Sequence, residues 1–318
     1  MRIIFMGTPE FAVPSLEILV ENKYEVVAVV TATDKLGGRG GKQLLESPVK
    51  KFAVSKGIPV LQPKNLKAPE FIEELRSFRA DLQVVVAFRM LPEAVWDMPT
   101  IGTFNLHGSL LPKYRGAAPI NWAVIEGEQE TGVTTFFIKH EIDTGDILFQ
   151  EKMPIGENET AGEVHDRMML LGAQLVLKTV QAIERGDYVL QKQDDSKVSK
   201  APKIFHETCE INFDLPTEQV HNFIRGLSPY PGAWTCWRNP LESKLFGLRP
   251  EPEDQEVKIF KTLKEPAGHS HPPGTFLTDG KKSLKIATRD GFIQILELQL
   301  QGRKRLDVIN FLNGLRAR

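Results

Sequence analysis

Several features that often announce a function are scarce in this chain of 318 residues. It has two cysteines, Cys209 and Cys236, and without a secretion signal we expect reduced thiols rather than a disulfide. No run reaches the ~20 apolar residues that cross a membrane. The first residues, MRIIF, resemble a strand and not a signal peptide. The sequence therefore predicts a cytoplasmic protein with no membrane segment.

An excess of charge of one sign is also missing. The 40 basic and 41 acidic residues nearly cancel and leave a formal net charge of −1. The chain as a whole therefore has no attraction to a polyanion, and any basic surface must be local. Hydrophobic content of 41% and charged content of 25% are ordinary for a globular protein, and the length favours two domains.

Two common site motifs are absent as well. The first strand ends in Gly7-Thr8-Pro9, which does not match Gly-x-Gly-x-x-Gly, so no dinucleotide is predicted there. The chain has no Gly-x-Ser-x-Gly elbow, and neither cysteine lies near the polar cluster described below. Group transfer by this chain would therefore lack an obvious protein nucleophile.

Strands and helices alternate in the first part of the chain. Residues 24–33 and 80–88 are near-continuous apolar runs, as in parallel strands that are covered on both faces. A long helix is predicted over 160–185, with Thr160 and Glu163 as a capping box and Gly186 beyond its end. This pattern predicts a doubly wound α/β domain with a mostly parallel sheet over residues 1–187.

The pattern changes after a polar stretch without periodicity. Residues 188–205 are predicted to be a linker. Beyond it, short strands separated by Gly and Pro turns, followed by a closing helix, predict a small β-barrel or sandwich over residues 206–318.

A short buried strand is predicted over 101–106, with polar side chains at its carboxyl end. Strand alternation places Asn105 and His107 on the same face, and a loop rich in Gly, Ser and Pro follows. In open α/β sheets, ligands bind beyond the carboxyl ends of the strands. Asp143 lies in a polar turn between two β-type runs. We therefore interpret Asn105, His107 and Asp143 as a candidate active site.

An amide, an imidazole and a carboxylate suit acyl transfer through a tetrahedral intermediate. Amide and imidazole N–H groups stabilise an oxyanion, and a carboxylate fixes the tautomer of its histidine. Two other interpretations stay open at this point. His107, Asp143 and His140 could bind a metal, although no His-x-x-x-His or Cys-x-x-Cys spacing supports it. Asn105 and His107 could instead satisfy buried backbone groups.

Residues 33–45 have a different composition. Four glycines surround Arg39, with Lys42 close by, so the segment cannot pack a core and is predicted to be a mobile loop. It is either a solvated connection or a basic finger for a phosphate-rich partner.

The residues around the trio carry a family resemblance. Residues 105–119, NLHGSLLPKYRGAAP, followed by DTGD at 143–146, closely resemble the 10-formyltetrahydrofolate-dependent formyltransferases. FMGTPEFA at 5–12, Gly-Arg-Gly at 38–40 and SPVK at 47–50 resemble the branch of that family that acts on methionyl-tRNA. The resemblance covers essentially the whole chain and becomes architectural after residue 205.

The resemblance implies a Rossmann-like N-terminal domain, an OB-like C-terminal barrel that binds tRNA, and direct transfer. The α-amine of methionyl-initiator tRNA would attack the formyl carbon of 10-formyltetrahydrofolate. Asn105 and His107 would hold the oxyanion, and Asp143 would orient His107 and help to move protons. No metal and no covalent enzyme intermediate are expected. The expected folate-binding residues are Phe88, Arg89, Met90, Leu91, Ser109, Leu110, Leu111, Pro112 and Ile142.

The resemblance also gives the basic residues a role. Arg39 and Lys42 would reach the acceptor end of the tRNA, and Lys203 would hold the tRNA backbone farther along. The protein is expected to be a monomer. This chain departs from the family pattern in two ways. The segment 87–92 is one residue shorter than the common form, which puts the folate-binding positions in doubt by one residue. The net charge is also less basic than in many tRNA-binding proteins.

Three other functions are compatible with the trio. The acceptor could be a small amine, such as glycinamide ribotide or an amino sugar nucleotide. Water could replace the amine, giving a formyltetrahydrofolate hydrolase, or the chain could be a non-catalytic RNA-binding module. The Gly-Arg-Gly loop and the C-terminal β domain favour tRNA over a small acceptor, and the intact trio argues against the last function.

Overall fold

The computed structural model describes residues 1–37, 43–237 and 255–316. The predicted tRNA contacts Arg39 and Lys42 lie outside the described residues. The chain forms two compact units. The first comprises Met1–Pro119, Thr131–Met153 and His165–Ala201, and the second Ile120–Glu130, Pro154–Val164 and Pro202–Arg318. The domain boundaries predicted at 187 and 205 stay a prediction.

The strands and helices up to residue 201 are β1 (Arg2–Gly7), α1 (Val13–Glu21), β2 (Glu25–Val30), β3 (Lys35–Gly37), β4 (Gln43–Leu45), α2 (Pro48–Ser55), β5 (Val60–Leu61), α3 (Pro69–Ser77), β6 (Leu82–Val86), α4 (Glu93–Trp96), β7 (Gly102–His107), β8 (Arg115–Gly116), α5 (Pro119–Ile125), β9 (Glu130–Phe137), β10 (Ile147–Pro154), α6 (Ala161–Arg185) and β11 (Lys200–Ala201).

The later elements are α7 (Thr217–Gly226), β12 (Ala233–Trp237), β13 (Gln255–Pro266), β14 (Phe276–Thr278), β15 (Leu284–Ala287), β16 (Gly291–Leu300), β17 (Leu306–Asp307) and α8 (Val308–Arg316).

The first unit is built on a sheet in the order β10-β9-β7-β6-β1-β2-β5. β5, β2, β1, β6 and β7 pair in parallel with one another, and β9 pairs antiparallel with β7. The chain starts in the middle of the sheet, builds outward to β5, and then returns to the other side of β1. Ligands bind at the carboxyl edge of such sheets, near this change of direction. That is the edge at which β7 ends with His107.

Both faces of the central strands are covered. Residues 3–6 of β1 have no exposed surface. Ile4 and Met6 pack with Phe71 and Leu75 of α3 in one apolar cluster. Fully burying a side chain of this size stabilises the fold by about 1.5–3 kcal/mol. In the predicted runs, Ala28 to Val30 of β2 and Leu82 to Val86 of β6 are buried, whereas Glu25 at the start of β2 is exposed. The prediction of strands covered on both faces is therefore confirmed for these central segments.

The long helix begins and ends as its sequence predicts. The Thr160 N–H donates to Glu163 Oε2 at 2.8 Å, and the Glu163 N–H donates to Thr160 Oγ1 at 3.2 Å. Gly186 follows the helix with φ +67°. The capping box is confirmed at α6.

The second unit has an antiparallel sheet in the order β12-β13-β16-β15-β14, with β17 paired to β16. Val220 and Ile224 of α7 pack in its core with Ile259 and Ile293. A mostly parallel α/β fold followed by a small antiparallel β domain is thus confirmed. The pairings of the described strands follow an open path, so closure into a barrel stays a prediction.

The described ends of the predicted mobile loop pair as two short strands. β3 and β4 pair in antiparallel register, with Leu36 opposite Leu44. Both leucines are largely exposed. Cross-strand pairing thus gives regular structure to the two ends of this segment, while its mobility stays a prediction.

Candidate active site

His107 ends β7, and its imidazole ring is buried with 6% of its surface exposed. His107 Nε2 lies 2.9 Å from the carbonyl oxygen of Tyr114. Because a carbonyl only accepts hydrogen bonds, Nε2 must carry the proton and donate the hydrogen bond. The other ring nitrogen, Nδ1, is thus left to face the rest of the site.

The group that faces His107 Nδ1 is the carboxylate of Asp143. Asp143 Oδ2 lies 3.8 Å from His107 Nδ1, and the same oxygen accepts a hydrogen bond from the Gly116 N–H at 2.9 Å. The sequence predicts that Asp143 orients the ring. In the structure the ring donates its direct hydrogen bond to the Tyr114 carbonyl, so the orienting role of Asp143 stays a prediction.

Two of these residues have unusual backbone conformations. Tyr114 and Asp143 adopt φ +60° and +57°, the left-handed region that L side chains avoid. Such a residue costs roughly 1–3 kcal/mol and persists only where its surroundings hold it. Both segments that build the site are therefore held by contacts farther along the chain.

Asn105 lies on β7 two residues before His107, on the same face of the strand. It is half-buried and sits between Val85 of β6 and Phe136 of β9 in the strand register. Strand alternation therefore places the amide and the imidazole side by side, as predicted, while their proposed roles remain to be tested.

The loop after His107 is held by polar contacts with β9 and β10. Thr134 Oγ1 donates to the Ser109 carbonyl at 2.6 Å and accepts the Leu111 N–H at 3.1 Å. Gln150 Nε2 donates to the Leu111 carbonyl and to Thr134 Oγ1, both at 2.9 Å. Ser109 is fully buried, and Leu111 packs with Phe136 and Ile147. These contacts give the loop one conformation beside the histidine.

Two glycines are required by close approach of the backbone. A Cβ on Gly145 would lie 1.6 Å from the Phe137 carbonyl oxygen. A Cβ on Gly116 would lie 2.5 Å from the Ala201 carbonyl oxygen, and Gly116 also has φ +130°. Each glycine lets one wall of the site pack directly against a neighbouring strand or turn.

The other predicted folate-binding residues lie in two segments. Phe88 to Leu91 follow β6, where Met90 is 72% exposed and Leu91 is buried. The Arg89 guanidinium donates to the carbonyls of Pro63 and Lys64. On the other side Ile142 is 58% exposed. Leu110 and Pro112 are half-buried.

Contacts between α4 and His140 connect the two segments. His140 Nε2 lies 3.2 Å from Glu93 Oε1, and its ring centroid is 5.4 Å from that of Trp96. Residues 88–92 lead directly into α4, and Ile142 follows His140 closely. The exposed apolar side chains of Met90 and Ile142 therefore belong to neighbouring segments of the same unit.

Comparison with known proteins identifies the family. The family model described as "Formyl transferase" matches residues 1–180, and that described as "Formyl transferase, C-terminal domain" matches residues 203–316. A methionyl-tRNA formyltransferase of Bacteroides fragilis is 52% identical over 99% of this chain and 95% of its own length. That of Porphyromonas gingivalis is 50% identical over 99% and 95%. The chain belongs to the methionyl-tRNA formyltransferase family.

Solved structures of other formyltransferases share the fold at low identity. WlaRD, a sugar 3N-formyl transferase solved in the presence of dTDP and 5-N-formyl-THF, matches with TM-score 0.65 and 22% identity over 96% of this chain and 99% of its own. HypX from Aquifex aeolicus in complex with tetrahydrofolic acid matches with TM-score 0.64 and 19% identity over 99% of this chain and 47% of its own.

The described residues were also compared with what a metal site and a membrane span require. Within them, no group of three or more His, Cys, Asp or Glu side chains is placed to hold a metal ion. None of the helices that the structure describes is long and apolar enough to span a membrane.

Lys203, predicted to contact tRNA, is exposed in the second unit with its ammonium 5.2 Å from the centroid of the Phe205 ring.

Several residues that hold the candidate site together could not be predicted from the sequence. Tyr114 contacts His107 through its backbone carbonyl, and every residue type has that group. The residue type at position 114 therefore does not reveal this contact. Thr134 and Gln150 lie in ordinary β-type runs. Gln193 lies in a polar stretch without periodicity, which was predicted to be a linker. Thr134, Gln150 and Gln193 carry no local signal, because each acts through a contact distant in sequence.

Proposed function

We propose that this chain transfers the formyl group of 10-formyltetrahydrofolate to the α-amine of methionyl-initiator tRNA, giving N-formylmethionyl-tRNA for translation initiation. The observation that carries the proposal is the meeting of His107 and Asp143 at the carboxyl end of β7, beside Asn105. Membership of the methionyl-tRNA formyltransferase family supports the same reaction.

The three side chains have distinct parts in the proposed reaction. The Asn105 amide donates a hydrogen bond to the oxyanion that develops when the amine attacks the formyl carbon. His107 Nε2–H is already engaged by Tyr114, so the ring exchanges protons through Nδ1. Nδ1 accepts the proton that the amine loses and returns it to the departing folate nitrogen. The Asp143 carboxylate balances the charge of the ring while it holds both protons.

The proposed folate site fits the residues around the trio. An aromatic pteridine ring needs apolar surface with a few polar groups to orient it. Met90 and Ile142 offer exposed apolar surface, and Phe88, which is partly buried, closely precedes Met90 in the chain. Leu110 and Pro112 would form the wall nearest His107. This arrangement would bring the formyl group to the end of β7.

We further propose that residues 1–187 carry the catalytic activity and that residues 206–318 bind tRNA. Lys203, in the linker just before residue 206, is proposed to hold the tRNA backbone. Arg39 and Lys42 are proposed to contact the acceptor end. A monomeric state and a cytoplasmic location belong to the same proposal. Contacts with phosphate position a nucleic acid without reading its sequence, so the choice of the initiator tRNA requires additional contacts.

The acceptor is tested by offering the wild-type protein three alternatives. 10-Formyltetrahydrofolate is supplied with methionyl-initiator tRNA, with a small amino sugar nucleotide, or with water alone, and formyl product and formate are measured. We expect rapid formylation of the tRNA and slow release of formate. Equal formate release without any tRNA would identify a hydrolase, and formylation of only the small amine would reject the tRNA acceptor.

A further inference from the structure

Residues 191–201, here called the strap, lie against both loops of the active site. Gln191 forms two backbone hydrogen bonds with Ile147, at 2.8 and 3.0 Å. The Ser199 carbonyl accepts the Arg115 N–H, and Ser199 Oγ accepts the Tyr114 N–H, both at 2.9 Å. β11 then pairs with β8. The strap therefore holds the turn whose Tyr114 carbonyl accepts the hydrogen bond from His107 Nε2.

Gln193 is the side chain of the strap that contacts both loops at once. Its Nε2 donates to the carbonyls of Asp143 and Gly145, both at 2.8 Å. Its Oε1 accepts Arg115 Nε at 3.0 Å and Arg115 Nη2 at 2.7 Å. An amide has two N–H donors and two oxygen lone pairs. All four are used, so the position and orientation of this side chain are fully specified.

The contacts of Gln193 constrain the backbone on either side of Thr144. Asp143 has φ +57° and needs outside contacts to keep that conformation. Gln193 holds its carbonyl, while the Gly116 N–H holds its carboxylate at 2.9 Å. Arg115, the other partner of Gln193, lies between Tyr114 and Gly116. One side chain thus connects the turn that carries Asp143 to the segment that fixes the ring of His107.

We propose that Gln193 is a positioning residue for formyl transfer, which sets the separation between the Asp143 carboxylate and His107 Nδ1. This inference rests on the proposed function. Gln193 acts through the backbone of Asp143 and Gly145 and through Arg115, and it has no contact with the reacting atoms in this account. A shift of about 1 Å in a catalytic group lowers turnover by up to about 100-fold.

Two substitutions separate positioning from packing. Gln193→Glu keeps an oxygen that accepts from Arg115, but it replaces the two N–H donors by an oxygen that repels the carbonyls of Asp143 and Gly145. Gln193→Ala removes both sets of contacts. Gln191→Ala is the matched control, because Gln191 is the same residue type, has an exposed side chain and keeps its backbone hydrogen bonds.

The test measures kcat, the KM for each substrate and the melting temperature of the three variants. For Gln193→Glu we expect kcat to fall by about 10- to 100-fold, with both KM values within about twofold of wild type and a melting temperature equal to that of Gln191→Ala. Combined with Asp143→Asn, Gln193→Glu should add little further loss, because both changes affect the same carboxylate.

Three results would overturn the proposal. Gln193→Glu and Gln193→Ala could both transfer formyl groups at the wild-type rate. Their kcat could fall only in proportion to the fraction of unfolded protein. Their losses could also add fully to that of Asp143→Asn. Failure of the proposed function is a separate result, since wild-type protein would then not formylate methionyl-tRNA at all.

Discussion

The hydrogen bonds of single residues decide how the candidate site can work. His107 donates through Nε2 to a backbone carbonyl, which leaves Nδ1 on the side of Asp143. The tautomer is therefore fixed by main-chain geometry and does not depend on a second side chain. This arrangement keeps the Asp143 carboxylate available to balance charge during proton transfer.

Gly145 gives a prediction at the scale of one methyl group. In Gly145→Ala, the new Cβ would lie 1.6 Å from the Phe137 carbonyl oxygen, so the turn that carries Asp143 must move. We expect kcat to fall by at least about 10-fold, because catalysis depends on the position of the reacting groups. Steady-state formylation assays give this value directly. Gly268→Ala is the control, since its Cβ would meet open space, and equal kcat in the two variants would contradict the prediction.

His221 gives a prediction about stability and pH. Burial, together with Arg225 and Lys264, lowers its pKa from 6.5 to about 4, while Glu157 and Glu218 act in the opposite direction. Between about pH 4 and pH 6.5, the His221 imidazole is protonated in the unfolded chain and neutral in the folded chain. The free energy of unfolding must therefore decrease as the pH falls through this window.

The size of this effect follows from the two pKa values. One pKa unit corresponds to about 1.4 kcal/mol, so His221 should lower the free energy of unfolding by about 2 kcal/mol between pH 7.5 and 5. Urea titrations at both pH values should show this loss in wild type and a correspondingly smaller loss in His221→Gln. Identical pH dependence of the two proteins would show that His221 is not buried in neutral form.

At the scale of the element, local sequence patterns were sufficient for the long helix and for β7. The capping residues of α6 and the alternation that places Asn105 with His107 are properties of short segments. The strap could not be found in this way. Its residues are polar, lack periodicity and gain their structure from Tyr114, Arg115 and Asp143, which lie far away in the chain.

The capping box of α6 can be tested by itself. Thr160 is 5% exposed and exchanges hydrogen bonds with Glu163, so Thr160→Ala leaves the Glu163 N–H, in the first turn, without its acceptor. We expect a loss of about 1 kcal/mol in the free energy of unfolding. Chemical denaturation measures it. In Glu163→Gln an acceptor oxygen remains, so this variant should lose less, and a larger loss than in Thr160→Ala would contradict the account.

At the scale of the whole molecule, the grouping of chain segments was not visible in the sequence. Residues 120–130 and 154–164 belong to the same unit as the C-terminal sheet. Asn121 Nδ2 donates to the Gly226 carbonyl at 2.8 Å, and the buried Arg225 donates to the Glu159 carbonyl at 2.9 Å. These contacts join segments distant in sequence, and local periodicity cannot predict them.

Binding of tRNA gives a prediction for the whole molecule. Each phosphate contact contributes about 0.7–0.9 to the slope of log K against log salt concentration. Lys203→Ala should therefore weaken binding of methionyl-tRNA and reduce the slope by about that amount. Binding measured over a series of salt concentrations gives both values. Lys67→Ala removes another exposed lysine and should change neither, and an unchanged slope in Lys203→Ala would show that Lys203 has no contact with phosphate.

The central claim is that Asn105, His107 and Asp143 together carry formyl transfer. The most direct test is single-turnover transfer from 10-formyltetrahydrofolate to methionyl-initiator tRNA, with wild type compared with Asn105→Ala, His107→Ala and Asp143→Ala. Because the variants remove the oxyanion donor, the proton-transfer group and the carboxylate that balances its charge, respectively, we expect losses of about 100- to 1,000-fold or more, without loss of tRNA binding. Transfer by any of the three within about twofold of wild type would remove that residue from the catalytic trio, and wild-type transfer by all three would place the chemistry elsewhere in the molecule.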